Sequence, residues 1–124
     1  MKPDDQISDE AGNVVADELY EMANLYPRTT GLPVTVWVGP RGNARHDVRI
    51  KVNMAHGNHM TLDNTAVVGV RPAPHVITGQ LAAADRRLVF EWTRINSDAI
   101  IAYWDGSIDT LELVQMLKSL PPTP

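Results

Sequence analysis

Two runs of alternating residues face each other across a short turn in the first half of the chain. The turn is the pentapeptide Gly-Pro-Arg-Gly-Asn at 39–43, and glycine and proline are typical turn formers. Alternation with a period of two is the pattern of a strand that buries one face. The two runs therefore predict an antiparallel hairpin with one apolar face. That face consists of Leu32, Val34, Val36 and Val38 from the first run and of Val48, Ile50 and Val52 from the second.

Two further strands extend this hairpin into a predicted four-stranded meander. Residues 60–62 alternate in the same way, and residues 66–70 form a nearly continuous apolar run. Pro72 and Pro74 are expected to end the fourth strand, because proline has no N–H to donate to a sheet. Short connections favour antiparallel pairing between strands that follow each other in the chain. The next residues, 75–78, are interpreted only as a short extended piece.

Helices are predicted on both sides of the meander. Before it, apolar residues at helical spacing begin after Ser8 and reach Tyr26, and Pro27 is expected to end that helix. After the meander, similar spacing predicts two or three helices within 81–120. Gly106 is placed to end one of these helices, as glycine commonly does.

The next helix is expected to start at a capping box. Asp109 precedes Glu112 by three residues, with aspartate in the position that serine or threonine usually takes.

A meander that needs cover on one face, followed by amphipathic helices, predicts an α+β fold with the helices packed on that face. The 124 residues fit a single domain over 1–124, with 1–8 and 121–124 frayed at its ends.

The composition excludes several classes of protein. The chain has no cysteine, so disulfides, thiolate catalysis and cysteine-based zinc sites are ruled out. No apolar run approaches the roughly 20 residues that span a bilayer. The acidic start of the chain, MKPDDQISDE, lacks the apolar region of a secretory signal. We therefore expect a cytoplasmic protein that does not associate with membranes, and we predict no cofactor.

The net charge of −4 conceals three blocks of different sign. Residues 1–26 carry a net charge of −6, residues 27–95 carry +5 and residues 96–124 carry −3. Such blocks can neutralise one another within the fold, in which case the exposed charges serve solubility. Alternatively, the basic middle forms a face that meets a polyanion, and the acidic head competes for that face.

Several segments between residues 32 and 120 form a distinctive combination. They are Val36-Trp37-Val38, the run from Gly42 to Arg49, Val68 to Pro72 before Gly79-Gln80, and a helical tail with Trp92, Asn96, Ala99-Ile100, Tyr103-Trp104, Gly106 and Ile108-Asp109. Together they resemble a small bacterial family of unassigned function. Some members of that family lie in gene pairs similar to toxin–antitoxin modules, so the resemblance implies a protein partner and no catalytic residue.

One face of the predicted hairpin combines an aromatic ring with bases. Trp37, Arg49 and Lys51 are expected on the face opposite the apolar one, and Arg41 and Arg45 lie in the connecting loop. An aromatic platform among cations can stack a nucleobase and hold phosphate. The alternative is that the stems of the basic side chains, or the N-terminal helix, cover the ring. The pI of about 5.4 also lies far from the basic range of nucleic-acid-binding domains.

Histidines near the third turn suggest a possible metal site. His56 and His59 are three residues apart, so a turn can bring both to one ion, and imidazole is a common metal ligand. Two ligands fall short of the four of a structural zinc site, and the alternative is that these rings bond turn backbone. His46 and Asp47 are adjacent and should point to opposite faces, so Asp47 is not expected to orient the His46 ring.

These patterns together favour binding over catalysis. The chain has no Gly-x-Ser-x-Gly nucleophile motif and no complete catalytic set. We interpret it as a protein-interaction or regulatory module without catalysis, whose partner is another protein or a second copy. One alternative is a nucleic-acid-binding module that uses the basic hairpin face. A second alternative is a metal-dependent enzyme or sensor that uses His56 and His59.

Overall fold

Hydrogen bonding between neighbouring strands builds one antiparallel sheet whose spatial order follows the order of the chain. The computed structural model describes residues 22–57 and 62–121. The five strands are β1 (Ala23–Leu25), β2 (Val36–Val38), β3 (Arg49–Asn53), β4 (Thr65–Gly69) and β5 (His75–Thr78). The helices are α1 (Pro27–Thr30), α2 (Ala83–Ile95), α3 (Ser97–Asp105) and α4 (Thr110–Met116), and a short 3-10 helix covers Leu62–Asn64.

The predicted hairpin is confirmed as the pair β2 and β3. Val36 lies opposite Val52, and Val38 lies opposite Ile50. All seven apolar positions of the two alternating runs are buried, none more than 2% exposed. The alternation therefore identified both the pairing and the face that enters the core.

The predicted N-terminal helix is wrong for its last turn. Ala23 and Leu25 bury their side chains, and their strand β1 pairs with β2. Pro27 begins the four-residue helix α1 instead of ending a longer one. Proline is well tolerated at the first position of a helix, because the N–H that it lacks would have no partner there. The earlier part of the predicted helix lies outside the described residues.

The predicted four-stranded meander is in fact a five-stranded one. β4 lies within one residue of the predicted strand at 66–70, and the piece at His75–Thr78 is a full strand that pairs with β4 across a bulge. The strand expected at 60–62 is wrong at its last residue, because the backbone there starts a 3-10 helix. Residues 60 and 61 themselves lie outside the described residues.

The end of α3 and the start of α4 follow the sequence prediction. Gly106 terminates α3 in the left-handed conformation, with a φ of 83°. Asp109 then caps α4: its Oδ1 accepts from the Glu112 N–H at 2.8 Å, and the Glu112 Oε1 accepts from the Asp109 N–H at 2.8 Å. This capping box satisfies backbone donors that have no partner within a helix.

The core lies between one face of the sheet and the three C-terminal helices. Trp92, Ile100 and Leu113 contribute one fully buried side chain from each helix, and Trp104 is only 7% exposed. Ile95, at the end of α2, is 36% exposed and does not enter the core. The α+β class and the helical layer on one sheet face are therefore confirmed.

The segment after α4 returns to the beginning of the described chain. The Leu120 N–H donates to the Thr30 carbonyl at 2.8 Å. Gly31, beside it, has a φ of 81°, and a Cβ there would stand 2.5 Å from the Leu120 carbonyl oxygen. The Asn96 side chain, between α2 and α3, bonds the Lys118 backbone. Residues 117–120 are thus tied to both α1 and the α2–α3 junction. The fraying predicted for 1–8 and 122–124 concerns residues outside the described part, and Pro121 is exposed.

Candidate functional site

One end of the sheet gathers basic side chains from two loops. The β2–β3 loop leaves the sheet at this end, and so does the link between β4 and β5, because the two strands between them, β3 and β4, are antiparallel. A hydrogen bond from the Val70 N–H to the Val48 carbonyl, at 3.3 Å, joins the two connections. We call this surface the arginine end and define it by Arg41, Arg45, Asp47, Arg71 and Trp104.

Trp104 forms the floor of the arginine end. Its ring is almost fully buried at the C-terminal end of α3, and its carbonyl accepts from the Arg41 N–H at 2.8 Å. The Arg41 guanidinium carbon lies 5.4 Å from the ring centroid, and that of Arg71 lies 5.9 Å from it. Both distances fall within the range of a cation–π interaction, so one ring attracts two cations from different loops.

Asp47 fixes the orientation of Arg71. Its two carboxylate oxygens accept from the Arg71 Nε at 3.0 Å, and Oδ1 also accepts from Nη2 at 2.8 Å. These hydrogen bonds, followed by one from the Val48 backbone, lower the pKa of the Asp47 carboxyl below its ordinary value of 3.8. The same hydrogen bond to Asp47 raises the pKa of Arg71. The paired geometry therefore holds the Arg71 guanidinium plane in place beside Trp104.

Arg41 and Arg45 remain exposed in the loop, as the sequence predicted. Neither forms an ion pair with any residue in the ranges that the structure describes. His46, next to them, keeps its Nδ1 2.8 Å from the Asp47 backbone oxygen, and the Asp47 carboxylate faces Arg71. The Asp47 carboxylate therefore does not contact the His46 ring, as expected, but the Asp47 backbone does.

The basic hairpin face needs a correction. The register places Trp37 directly opposite Lys51, and Arg49 lies two residues before Lys51 on the same face, as predicted. Trp37 is nevertheless only 8% exposed, while Arg49 and Lys51 are half-buried and engaged in further contacts. A stacking platform requires an open ring. Trp37 does not provide one in this structure.

His56 contacts a carboxylate that the sequence did not single out. Its Nε2 lies 2.8 Å from Oδ2 of Asp85, which is the third residue of α2. The His56 side chain is 64% exposed and that of Asp85 only 10%. His59, the other predicted metal ligand, lies outside the described residues. Within the described ranges, no three acidic or histidine side chains cluster in a way that could hold a metal ion.

Two of the contacts that the sequence does not predict join residues far apart in the chain. Asp47 and Arg71 are 24 positions apart, and His56 and Asp85 are 29 apart. No periodicity relates such pairs, so only the strand register and the helix placement bring them together. A charged residue next to a predicted strand end, as Arg71 is, was the one available signal.

A shallow depression of about 280 Å³ lies at the other end of β5. Val76, Gly79, Gln80, Leu81 and Arg86 line it, and Arg86 is the one charged residue among them. This lining offers no pair of acid and base for proton transfer.

None of the helices in the described ranges is both long and apolar enough to cross a membrane. No protein-family model matches the chain, and no curated protein and no solved structure matches it either.

Proposed function

We propose that the chain is a cytoplasmic binding module without catalysis, which recognises an acidic segment of another protein through the arginine end. The observation that carries this proposal is the pair of guanidinium groups, Arg41 and Arg71, over the ring of Trp104. The two arginines come from different loops, and a buried side chain fixes their spacing. Arginine presents a planar fork of donors that matches a carboxylate, so two oriented forks favour a partner with two or more acids.

The balance of charge at this end supports an anionic partner. Arg71 is already paired with Asp47, which holds it in place, whereas Arg41 and Arg45 have no ion pair with a described residue. An acidic segment that reaches the loop gains the attraction of these two cations. Because they are solvent-exposed, the attraction acts mainly on the rate of association and on specificity, and salt weakens it.

Two observations favour a protein over a nucleic acid as this partner. The Trp37 ring is buried, so the basic side chains of the hairpin face have no exposed aromatic ring beside them on which a nucleobase could stack. Asp47 also lies among the arginines, and its carboxylate repels a closely spaced row of phosphates more strongly than a peptide that carries only a few acids.

The test compares three forms of the full-length chain in co-purification from the source cell, with and without nuclease. They are the unchanged chain, Arg41→Glu with Arg45→Glu, and the matched control Arg86→Glu with Arg87→Glu. The control reverses two exposed arginines of α2, the helix whose start contacts His56 at the opposite end of the sheet. Circular dichroism checks that all three forms are folded.

We expect a protein that survives nuclease, is captured by the unchanged chain and by the control, and is lost with the Arg41/Arg45 reversal. Capture that disappears on nuclease treatment would replace this proposal with nucleic-acid binding. Capture that is equal in all three forms, or absent from all, would overturn the arginine end as the contact surface.

A further inference from the structure

The face of the sheet that points away from the helices carries a buried tryptophan. Trp37 is 8% exposed, yet it does not belong to the core cluster that the helices and the other sheet face form. Its Nε1 is buried and finds no acceptor among the described residues. Lys51 lies opposite Trp37 on one side and Asn24 on the other. Something other than the three C-terminal helices must therefore cover this ring.

We propose that residues 1–21 are the cover: they lie across this second sheet face as an amphipathic helix that packs on Trp37 and pairs with Arg49 and Lys51. The proposal does not depend on the function proposed above. This cover would bury the basic hairpin face and leave the arginine end as the exposed basic surface.

The point where the described chain begins supports this occupant. Met22 directly precedes β1, and its Cγ would stand 3.0 Å from a Cβ placed on Gly39. Successive residues of a strand point to opposite faces, and Ala23 belongs to the core. The Met22 side chain therefore lies on the second face, beside the end of β2. The chain before it starts on the side of the sheet where Trp37 is buried.

The length of the segment also fits. A helical pattern runs from Ser8, and the 14 residues from there to residue 21 would form a helix about 21 Å long. Five strands at the usual spacing of about 4.8 Å span about 19 Å. One helix of this length crosses the whole sheet, and α-helices commonly cover a sheet face in this way.

The chemistry of the segment matches the face that it would cover. Val14, Val15 and Leu19 share one side of the predicted helix, and Glu18 lies on the same side, four residues after Val14. The sheet face offers Trp37 for the apolar residues and Lys51 for the acid. The net charge of residues 1–21 is −6, from seven acids and one lysine, which suits a face with two bases. A tethered segment also competes at a high effective concentration.

Paramagnetic relaxation enhancement tests the contact in the full chain. Because the chain has no cysteine, Asn13→Cys introduces a single labelling site, and helical geometry places position 13 opposite the Val15–Leu19 side. We expect the label to broaden the Trp37 indole N–H signal and the Lys51 and Val67 amides. The amides of Val89 and Ile100, on the helical layer, should broaden much less. The diamagnetic form of the same label provides the reference.

A charge exchange tests the pairing separately. Glu18→Lys should reduce the broadening at Trp37 severalfold, and adding Lys51→Glu to it should restore most of that signal. Asp98→Lys, the same charge change at an exposed position of α3, should leave the broadening unchanged. Broadening that is absent, or strongest on the helical layer, would overturn the cover. Broadening that Glu18→Lys leaves unchanged would overturn the ionic pairing that the proposal includes.

Discussion

Both polar atoms of the Asn96 side chain form hydrogen bonds with the backbone of Lys118. Its Nδ2 donates to the Lys118 carbonyl at 2.9 Å, and its Oδ1 accepts from the Lys118 N–H at 2.7 Å. The same Nδ2 donates to the Trp92 carbonyl at 2.9 Å. Asn96 is 2% exposed, so water cannot easily replace any of these bonds. A single amide therefore joins the end of α2 to a segment 22 residues later.

Asn96→Ala should lower the free energy of unfolding by about 2–3 kcal/mol, because it leaves buried backbone groups without partners. Urea denaturation monitored by circular dichroism measures the loss. Ser119, the residue after Lys118, is exposed, so Ser119→Ala should change the free energy of unfolding by less than about 0.5 kcal/mol. A similar small effect for Asn96→Ala would show that the segment after α4 is held by other contacts.

Gly31→Ala should destabilise the fold more than Gly42→Ala. Both glycines have a positive φ, of 81° and 52°, so a methyl group costs about 1–2 kcal/mol of backbone strain at either position. At Gly42 nothing lies within 4 Å of the added Cβ, whereas at Gly31 the Leu120 backbone stands in its place. The added methyl group must therefore also displace Leu120 and stretch its bond to Thr30.

Parallel denaturation of the two glycine variants checks this expectation. The difference between them isolates the contact with Leu120, since the strain is common to both. Equal losses for the two variants would mean that residues 117–120 can move away from Gly31 at no cost.

Asp47→Asn should lower the melting temperature slightly at neutral pH and leave it unchanged in strong acid. The Arg71 hydrogen bonds lower the pKa of the folded Asp47 carboxyl below 3.8, so the stability that they provide is complete above that value. It disappears as pH falls through the lowered pKa, where the carboxyl becomes protonated. The effect is small because both side chains are exposed, and added salt should shrink it further.

Thermal melts of the unchanged chain and the variant over a series of pH values measure that difference. Asp98→Asn serves as control, because Asp98 is exposed and forms no ion pair within the described ranges. A gap between the Asp47→Asn and unchanged curves that widens towards acid would contradict the direction derived from the pKa.

His56→Ala should lower the free energy of unfolding by more than the exposure of the His56 side chain suggests. Removing the imidazole leaves the buried Asp85 carboxylate without that partner, for an expected loss of about 1–3 kcal/mol. Asp85→Asn should cost less, since an amide can still bond the ring. A double-mutant cycle with both changes, read from urea denaturation, gives the coupling between the two side chains.

His46→Ala is the matched control for the histidine change. His46 is also exposed, but its ring nitrogen Nδ1 lies beside the Asp47 backbone oxygen and not beside a buried carboxylate. If the two histidine variants unfold at the same urea concentration, the Asp85 contact does not stabilise the chain.

The hairpin and the capping box could be predicted because each depends on local periodicity. Val36, Val38, Ile50 and Val52 alternate, and two alternating runs with a turn between them leave little choice of pairing. Asp109 and Glu112 are likewise close in sequence and bond each other's backbone. In both cases the physical cause lies within a few residues, where a sequence pattern can express it.

The first strand could not be predicted for the opposite reason. Three residues, Ala23–Leu25, are too few to distinguish a period of two from a period of 3.6. What makes them a strand is the free edge of β2, which accepts their backbone groups. Pro27 suits both the end of one helix and the start of another, and only that pairing decides between them.

The arginine end was partly accessible from the sequence. The loop position of Arg41 and Arg45 follows from the turn chemistry of 39–43, but Trp104, over whose ring the Arg41 guanidinium lies, is about sixty residues away. Trp104 lies within the range predicted to be helical and is buried, and its ring has a second role beside packing. This buried ring belongs to the core and also contacts two guanidinium groups.

The bond between Leu120 and Thr30 has a consequence for synthesis on the ribosome. Each strand of the sheet pairs with the strand made just before it, so the meander can assemble in stages as the chain emerges. The hydrogen bond between the segment after α4 and α1 cannot form in stages in this way, because it joins residue 120 to residue 30. The hydrogen bonds that tie residues 117–120 to α1 and to the α2–α3 junction can therefore all form only after residue 120 has left the exit tunnel.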